Sequence, residues 1–239
     1  SFRPPLWLGC RSRWRRNMAT LLSIVQSVTG ELGLVQPSTV VSATDLQTIQ
    51  LYNLVNREGD GLKRAHQWTA LQSLFTLNVG APLVTTGDVT TGSAIITNIP
   101  TTAAITAGTF VVSGSSIPSA ARVLTVDGPT QITMDMVSTG TSAGEALTFG
   151  KDTYPGPTDY DFQINRTSWD RTNRWELLGP DSPQIDEWHR SGSVTTGPRS
   201  HFRWVGDLSA GNYRLWPPPQ TVDTPFQIAW EYLSNYWCK

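Results

Sequence analysis

Between Pro82 and Gly150 the chain has no Trp, no Tyr and no Lys, and Arg122 is its only basic residue. On either side Trp and Arg are frequent, with Trp7, Trp14 and Trp68 before the gap and Trp169, Trp175, Trp188, Trp204, Trp216, Trp230 and Trp237 after it. A composition that changes and then changes back constrains the fold more than any single motif. It predicts a parent domain interrupted by an inserted module that enters and leaves through a surface loop. Inside the module the runs 93–99, 108–112, 122–126, 131–136 and 146–149 are short, β-branched and divided by Gly, Pro, Ser or Asp turns. That pattern predicts a small, all-β, sandwich-like insertion.

The N-terminal flank carries helical periodicity. Leu21, Leu22, Ile24, Val25, Val28 and Leu32 recur at helical spacing and Gly30 with Gly33 closes the run. After Gln36-Pro37, Thr44 with Gln47 has the spacing of a capping box. It predicts a second helix through Leu46, Ile49, Leu51, Leu54 and Val55. Gly59 and Gly61 predict a break, and 62–68 a third helical piece, before 69–79 turns towards strand character. After Lys151, strands are expected at about 160–165, 168–177, 200–206, 212–216 and 225–234. Ser182-Pro183 predicts the cap and first residue of one short helix, and Pro217-Pro218-Pro219 must form a turn. The fold class expected is α+β: an N-terminal α-helical bundle part plus an antiparallel β-sheet, interrupted by the insertion. The divisions are a basic arm (1–17), a helical part (18–81), the module (82–150) and a β-rich remainder (151–239).

The net charge of −1 hides an asymmetry. Arg3, Arg11, Arg13, Arg15 and Arg16 stand in a leader without one acidic residue, which leaves the rest of the chain near −6. A basic arm on an acidic body predicts an acidic protein surface as the arm's partner, with DNA as the alternative. Cys10 and Cys238 provide no disulfide framework. No targeting or membrane segment is expected, because the apolar run 18–28 is short and interrupted.

There is no P-loop, GxGxxG or HExxH. His66, His189 and His201 lack a metal-ligand spacing in sequence, so no metal and no cofactor is expected. Asp159 with Asp161, and the group Glu176, Asp181, Asp186 and Glu187, admit a carboxylate-pair hydrolase. Solvated turn and helix-end charges explain the same residues. The block 169–175 interleaves Trp169 and Trp175 with Arg171 and Arg174. Such a block can stack on bases and grip phosphate, or make cation-π and arginine-carboxylate contacts between subunits. The subunit reading is preferred because Asp170 would repel phosphate.

Several ordered blocks carry a resemblance. They are Arg57-Glu58-Gly59 and Arg64-Ala65-His66-Gln67-Trp68, then Tyr160-Asp161-Phe162, Asn165-Arg166-Thr167, the run from Trp169 to Trp175, Leu178-Gly179-Pro180, Ser182-Pro183-Gln184, Glu187-Trp188, and the run from Glu231 to Cys238. Together the flanks resemble the head-to-tail adaptor, or connector, proteins of tailed bacteriophages. The module, with Gly92-Ser93, Gly114, Ile117-Pro118 and Gln131 to Asp135, resembles Ig-like β modules inserted in phage virion proteins. The resemblance implies a structural virion protein at the head-tail junction, assembled in the host cytoplasm and without enzymatic activity. Its implied partners are a homo-oligomeric, twelve-fold ring, the portal protein, a downstream tail nozzle or hub protein, and double-stranded DNA passing through the lumen. Interface residues are expected at Arg64, Trp68, Trp169, Arg171, Arg174, Trp175, Trp188, Trp230, Tyr232 and Trp237. A receptor- or carbohydrate-binding tail component and a cell-wall hydrolase are the alternatives.

Overall fold

The computed structural model describes residues 19–189, 191, 200–206, 211–219 and 225–236. The chain divides after His66 into two compact units. In the first, α1 (Leu21–Glu31) starts at Thr20, whose hydroxyl accepts from Ser23 N at 3.2 Å. It stops where Gly33 takes φ +67°, a conformation that glycine adopts without penalty. Helix α2 (Leu46–Ala65) is capped by the Asp45 carboxylate, which accepts from Thr48 N at 3.0 Å. The cap is therefore one residue later than the Thr44-Gln47 pattern suggests. Gly59 and Gly61 do not interrupt α2, and 62–65 continue it rather than opening a third helix.

The expected α+β class with an N-terminal helical bundle does not hold. The structure is mostly β, with 37% strand against 21% helix and several small antiparallel sheets. A bundle needs helices that wrap a shared apolar core. Here Val25 and Val40 are the buried hydrophobic residues of the described part of this unit, while Leu32, Val35, Val41, Leu46, Ile49, Leu54 and Leu62 stay exposed.

The second unit is built on β14 (Phe226–Ser234), whose alternate residues Phe226, Ile228, Trp230 and Tyr232 point into one core. Along its full length β14 pairs antiparallel with β1 (Gln72–Val79), which follows one 3-10 turn at Thr69–Leu71. Its other edge holds β9 (Tyr160–Gln163) and β10 (Trp169–Asp170), and β10 turns back into β11 (Trp175–Glu176). A three-stranded sheet ordered β12 (His201–Val205), β13 (Asn212–Trp216) and β8 (Thr153–Pro155) supplies Phe202, Tyr213, Leu215 and Tyr154 to the same core. Helix α3 (Pro183–Trp188) begins at Ser182, whose hydroxyl accepts from Ile185 N.

Residues 83–151 enclose a second core. Strands β2 (Leu83–Val89), β7 (Ser142–Lys151) and β4 (Phe110–Ser113) form one sheet, and β3 (Ile95–Ile96), β6 (Gln131–Met134) and β5 (Val123–Gly128) another. Val89, Ile96, Val112, Val123, Ile132, Leu147 and Phe149 fill the space between them. At the root of this module the guanidinium of Arg122 donates to both carboxylate oxygens of Asp152 at 2.6 Å, and both side chains are buried. The Asp152 backbone also spans the junction, its N–H donating to Thr109 O and its carbonyl accepting from Leu215 N.

Candidate functional site

The face of the five-stranded sheet turned away from the core is the most chemically distinctive surface among the described residues. Pairing aligns Trp169 with Ala229 and Ala229 with Thr76, so these three share that face, and Leu74 opposite Glu231 lies two residues further along. Leu74, Ala229, Glu231 and Trp169 line a concavity of about 490 Å³ together with Arg166, Arg171 and Arg174. Trp169 leaves 45% of its surface exposed there, a large apolar ring that the described residues do not cover fully.

The Asp170 side chain, on the opposite side of β10, is buried and builds the loop that carries two of the arginines. Its carboxylate accepts from Thr172 N and Asn173 N at 2.9 Å and from Asn173 Nδ2 at 2.8 Å. Asp170 and Glu231 both border the concavity, so acidic groups stand beside its three arginines. Arg166 and Arg174 adopt φ of +61° and +64°. Both lie in turns, where a residue in the left-handed region reverses the chain. Among the described residues no ion pair or hydrogen bond engages the guanidinium of Arg166, Arg171 or Arg174. Three planar forks around a Trp suit carboxylates of another protein or phosphate oxygens.

The other residues expected at an interface are dispersed. Arg64 is exposed at the end of α2, Trp68 is half-exposed before the 3-10 turn, and Trp188 is exposed at the end of α3. Trp175 is also exposed, but the register places it across from Asp170 and so on the side away from Trp169. Trp230 and Tyr232 are core residues and not interface residues. The Trp230 ring stacks on Tyr213 at 4.2 Å and is fully buried. The Tyr232 hydroxyl donates to Asp159, and burial, reinforced by that carboxylate, pushes it up to about 12. Trp237 and the arm residues Arg3, Arg11, Arg13, Arg15 and Arg16 lie outside the described residues.

A second constellation is invisible in the sequence spacing. The backbone of 178–181 lies against β12: Phe202 N donates to Leu178 O at 3.0 Å and Asp181 N to Phe202 O at 2.9 Å. This sets Asp181 beside His201, with Oδ1 3.2 Å from His201 Nδ1. Helix α3 then brings His189 back to the same place, its Nε2 3.7 Å from Asp181 Oδ2 and its ring 5.0 Å from that of His201. Asp186 holds α3 down by accepting from Arg203 at 2.6 Å and Arg214 at 3.0 Å. Two of the three histidines, which lack a metal-ligand spacing in sequence, therefore converge in the fold. Burial, and after it His201, hold the His189 imidazole below its ordinary value.

Of the carboxylates considered for hydrolysis, Asp159 is bound by Tyr232 and Ser234, and Asp186 by its two arginines. Asp161, Glu176 and Glu187 sit at exposed positions on separate elements. No family model, curated protein or solved structure matches the chain.

Proposed function

We propose that the protein is a structural ring subunit of a tailed-phage head-tail junction, an adaptor joining the portal to the tail. The observation that carries the reading is the under-buried helical unit. Leu46, Ile49, Leu54 and Leu62 of α2 are exposed and, at 100° per residue, spread around the helix rather than along one stripe. A helix apolar on several sides asks to be covered on several sides, which copies of the same chain in a closed, heterologous ring provide. The arginine-tryptophan concavity offers a second, polar contact for an acidic neighbour, and the acidic body of the chain supplies such surfaces. An acidic channel lining also lets double-stranded DNA slide without being held. The order of the resembling sequence blocks supports the same reading and implies twelve copies. The reading includes no chemical step, and the portal and a downstream nozzle or hub protein are its partners.

Purified chain is to be mixed with a portal ring and followed by mass photometry and negative-stain imaging. Closed rings on the portal are expected for the wild type. Leu46→Asp and Leu54→Asp should abolish them while changing the melting temperature of the unassembled chain little, since Leu46 is 68% and Leu54 50% exposed. Each interface would lose about 1–2 kcal/mol of apolar burial, repeated at every subunit contact. A chain that stays monomeric beside the portal, or variants that assemble normally, would sink the proposal.

Two other readings have different standing. Phosphate contact at the Arg166, Arg171 and Arg174 concavity has those three guanidinium groups in its favour and Asp170 and Glu231 against it, and salt-dependent retention of duplex DNA, lost in Arg171→Glu, would establish it. Carbohydrate binding by the module has no platform among the described residues, because Phe110 and Phe149, its only aromatic rings, are buried.

A further inference from the structure

We propose that Asp181, His189 and His201 form a binding site for a divalent transition-metal cation of the zinc type, with one coordination position left for water or for a donor from a partner. One ligand-type atom from each of the three lies within 4.8 Å of the others. Donor atoms around a tetrahedral zinc are about 3.3 Å apart, close to the 3.2 Å between His201 Nδ1 and Asp181 Oδ1 and the 3.7 Å between His189 Nε2 and Asp181 Oδ2. Two imidazoles and a carboxylate are borderline donors, matched to zinc, cobalt or nickel rather than to calcium or magnesium.

His189 supplies the independent observation. It is 7% exposed, packs on Trp216 with ring centroids 5.7 Å apart, and among the described residues neither ring nitrogen has a hydrogen-bond partner. A buried imidazole without partners costs on the order of 1–3 kcal/mol, and a metal bond to one nitrogen removes much of that cost. Asp186 pairs with both Arg203 and Arg214 and so offsets one of their two positive charges. Those pairs fix α3, and hence His189, to β12 and β13. The inference stands apart from the ring proposal and survives its failure.

The test uses the full chain carrying Cys10→Ser and Cys238→Ser, so that thiolates do not compete, stripped with a chelator and desalted. Zinc chloride is titrated against a chromogenic competitor, and cobalt(II) is added separately to read its visible ligand-field bands. One equivalent of zinc is expected, with cobalt bands of imidazole-carboxylate type. Asp181→Asn and His201→Gln should each weaken binding by at least about tenfold, whereas His66→Gln, on the exposed end of the other unit, leaves it unchanged. His201→Gln carries the decision if His189→Gln fails to fold, because His201 is partly exposed. Absence of stoichiometric zinc uptake, or uptake retained in His201→Gln, overturns the proposal.

Discussion

Arg122 is the single base in the module and is held inside it. Burial pushes the Asp152 carboxyl above its ordinary value, and Arg122 is the strongest influence pulling it back. The contact joins two cores, since Arg122 precedes β5 and Asp152 lies between β7 and β8. Its removal strands a buried carboxylate, so Arg122→Met should destabilise the second unit by about 3–5 kcal/mol. The double variant Arg122→Met/Asp152→Asn should recover much of that loss, because it removes the orphaned charge. Urea unfolding followed by Trp fluorescence distinguishes the two, and a single variant as stable as wild type would mean that water reaches Asp152. The sequence shows that Arg122 is unusual but not why, because its partner stands 30 residues away. His189 is obscure for the same reason: its partners Asp181 and His201 are assembled from a loop and a strand by backbone bonds that no spacing rule encodes.

Elements were legible where local chemistry decides them. Strand β13 occupies the expected residues 212–216, and Ser182-Pro183 starts α3 as a cap and a fixed φ predict. The expected strand 168–177 is instead the β10–β11 hairpin, and the turn formers Asp170, Thr172 and Asn173 are the signal that marks it. Continuity of α2 past Gly59 and Gly61 shows the opposite limit. A mid-helix glycine costs about 1 kcal/mol, too little to break a long helix. The helical bundle failed for a related reason: periodicity reports that a helix has an apolar side, not that the chain itself covers it. At this scale the hairpin yields a prediction. Asp170→Ala leaves three donors unmatched and should cost about 1–3 kcal/mol. Hydrogen exchange should speed up across 171–174 before any change in the β14 core, and portal binding should weaken as Arg171 and Arg174 lose their fixed positions. Unchanged exchange in the loop would show that Asp170 does not build it.

For the whole molecule, the two cores of the second unit give separate expectations. Residues 83–151 have their own apolar interior, and the sheet around β14 does not draw on it. Replacing 82–150 by a Gly/Ser linker, with Asp152→Asn to remove the unpaired charge, should leave ring assembly on the portal intact. Imaging that shows only monomers for this variant, with the β14 core still folded, would assign the module a direct part in assembly. The composition break at Pro82 and Gly150 made the module visible, since a self-contained core needs its own apolar residues and little else.

The seam between module and sheet sets one more property. Beyond the Arg122 fork, a Cβ added to Gly150 would lie 2.5 Å from the Pro219 carbonyl oxygen, so the two backbones meet there with no room for a side chain. A joint that is clamped electrostatically and closed sterically does not swivel. In a closed ring of copies each module would therefore hold one bearing, like a spoke fixed to its rim, and a push at its tip would reach β13 and β14 instead of being lost in a hinge.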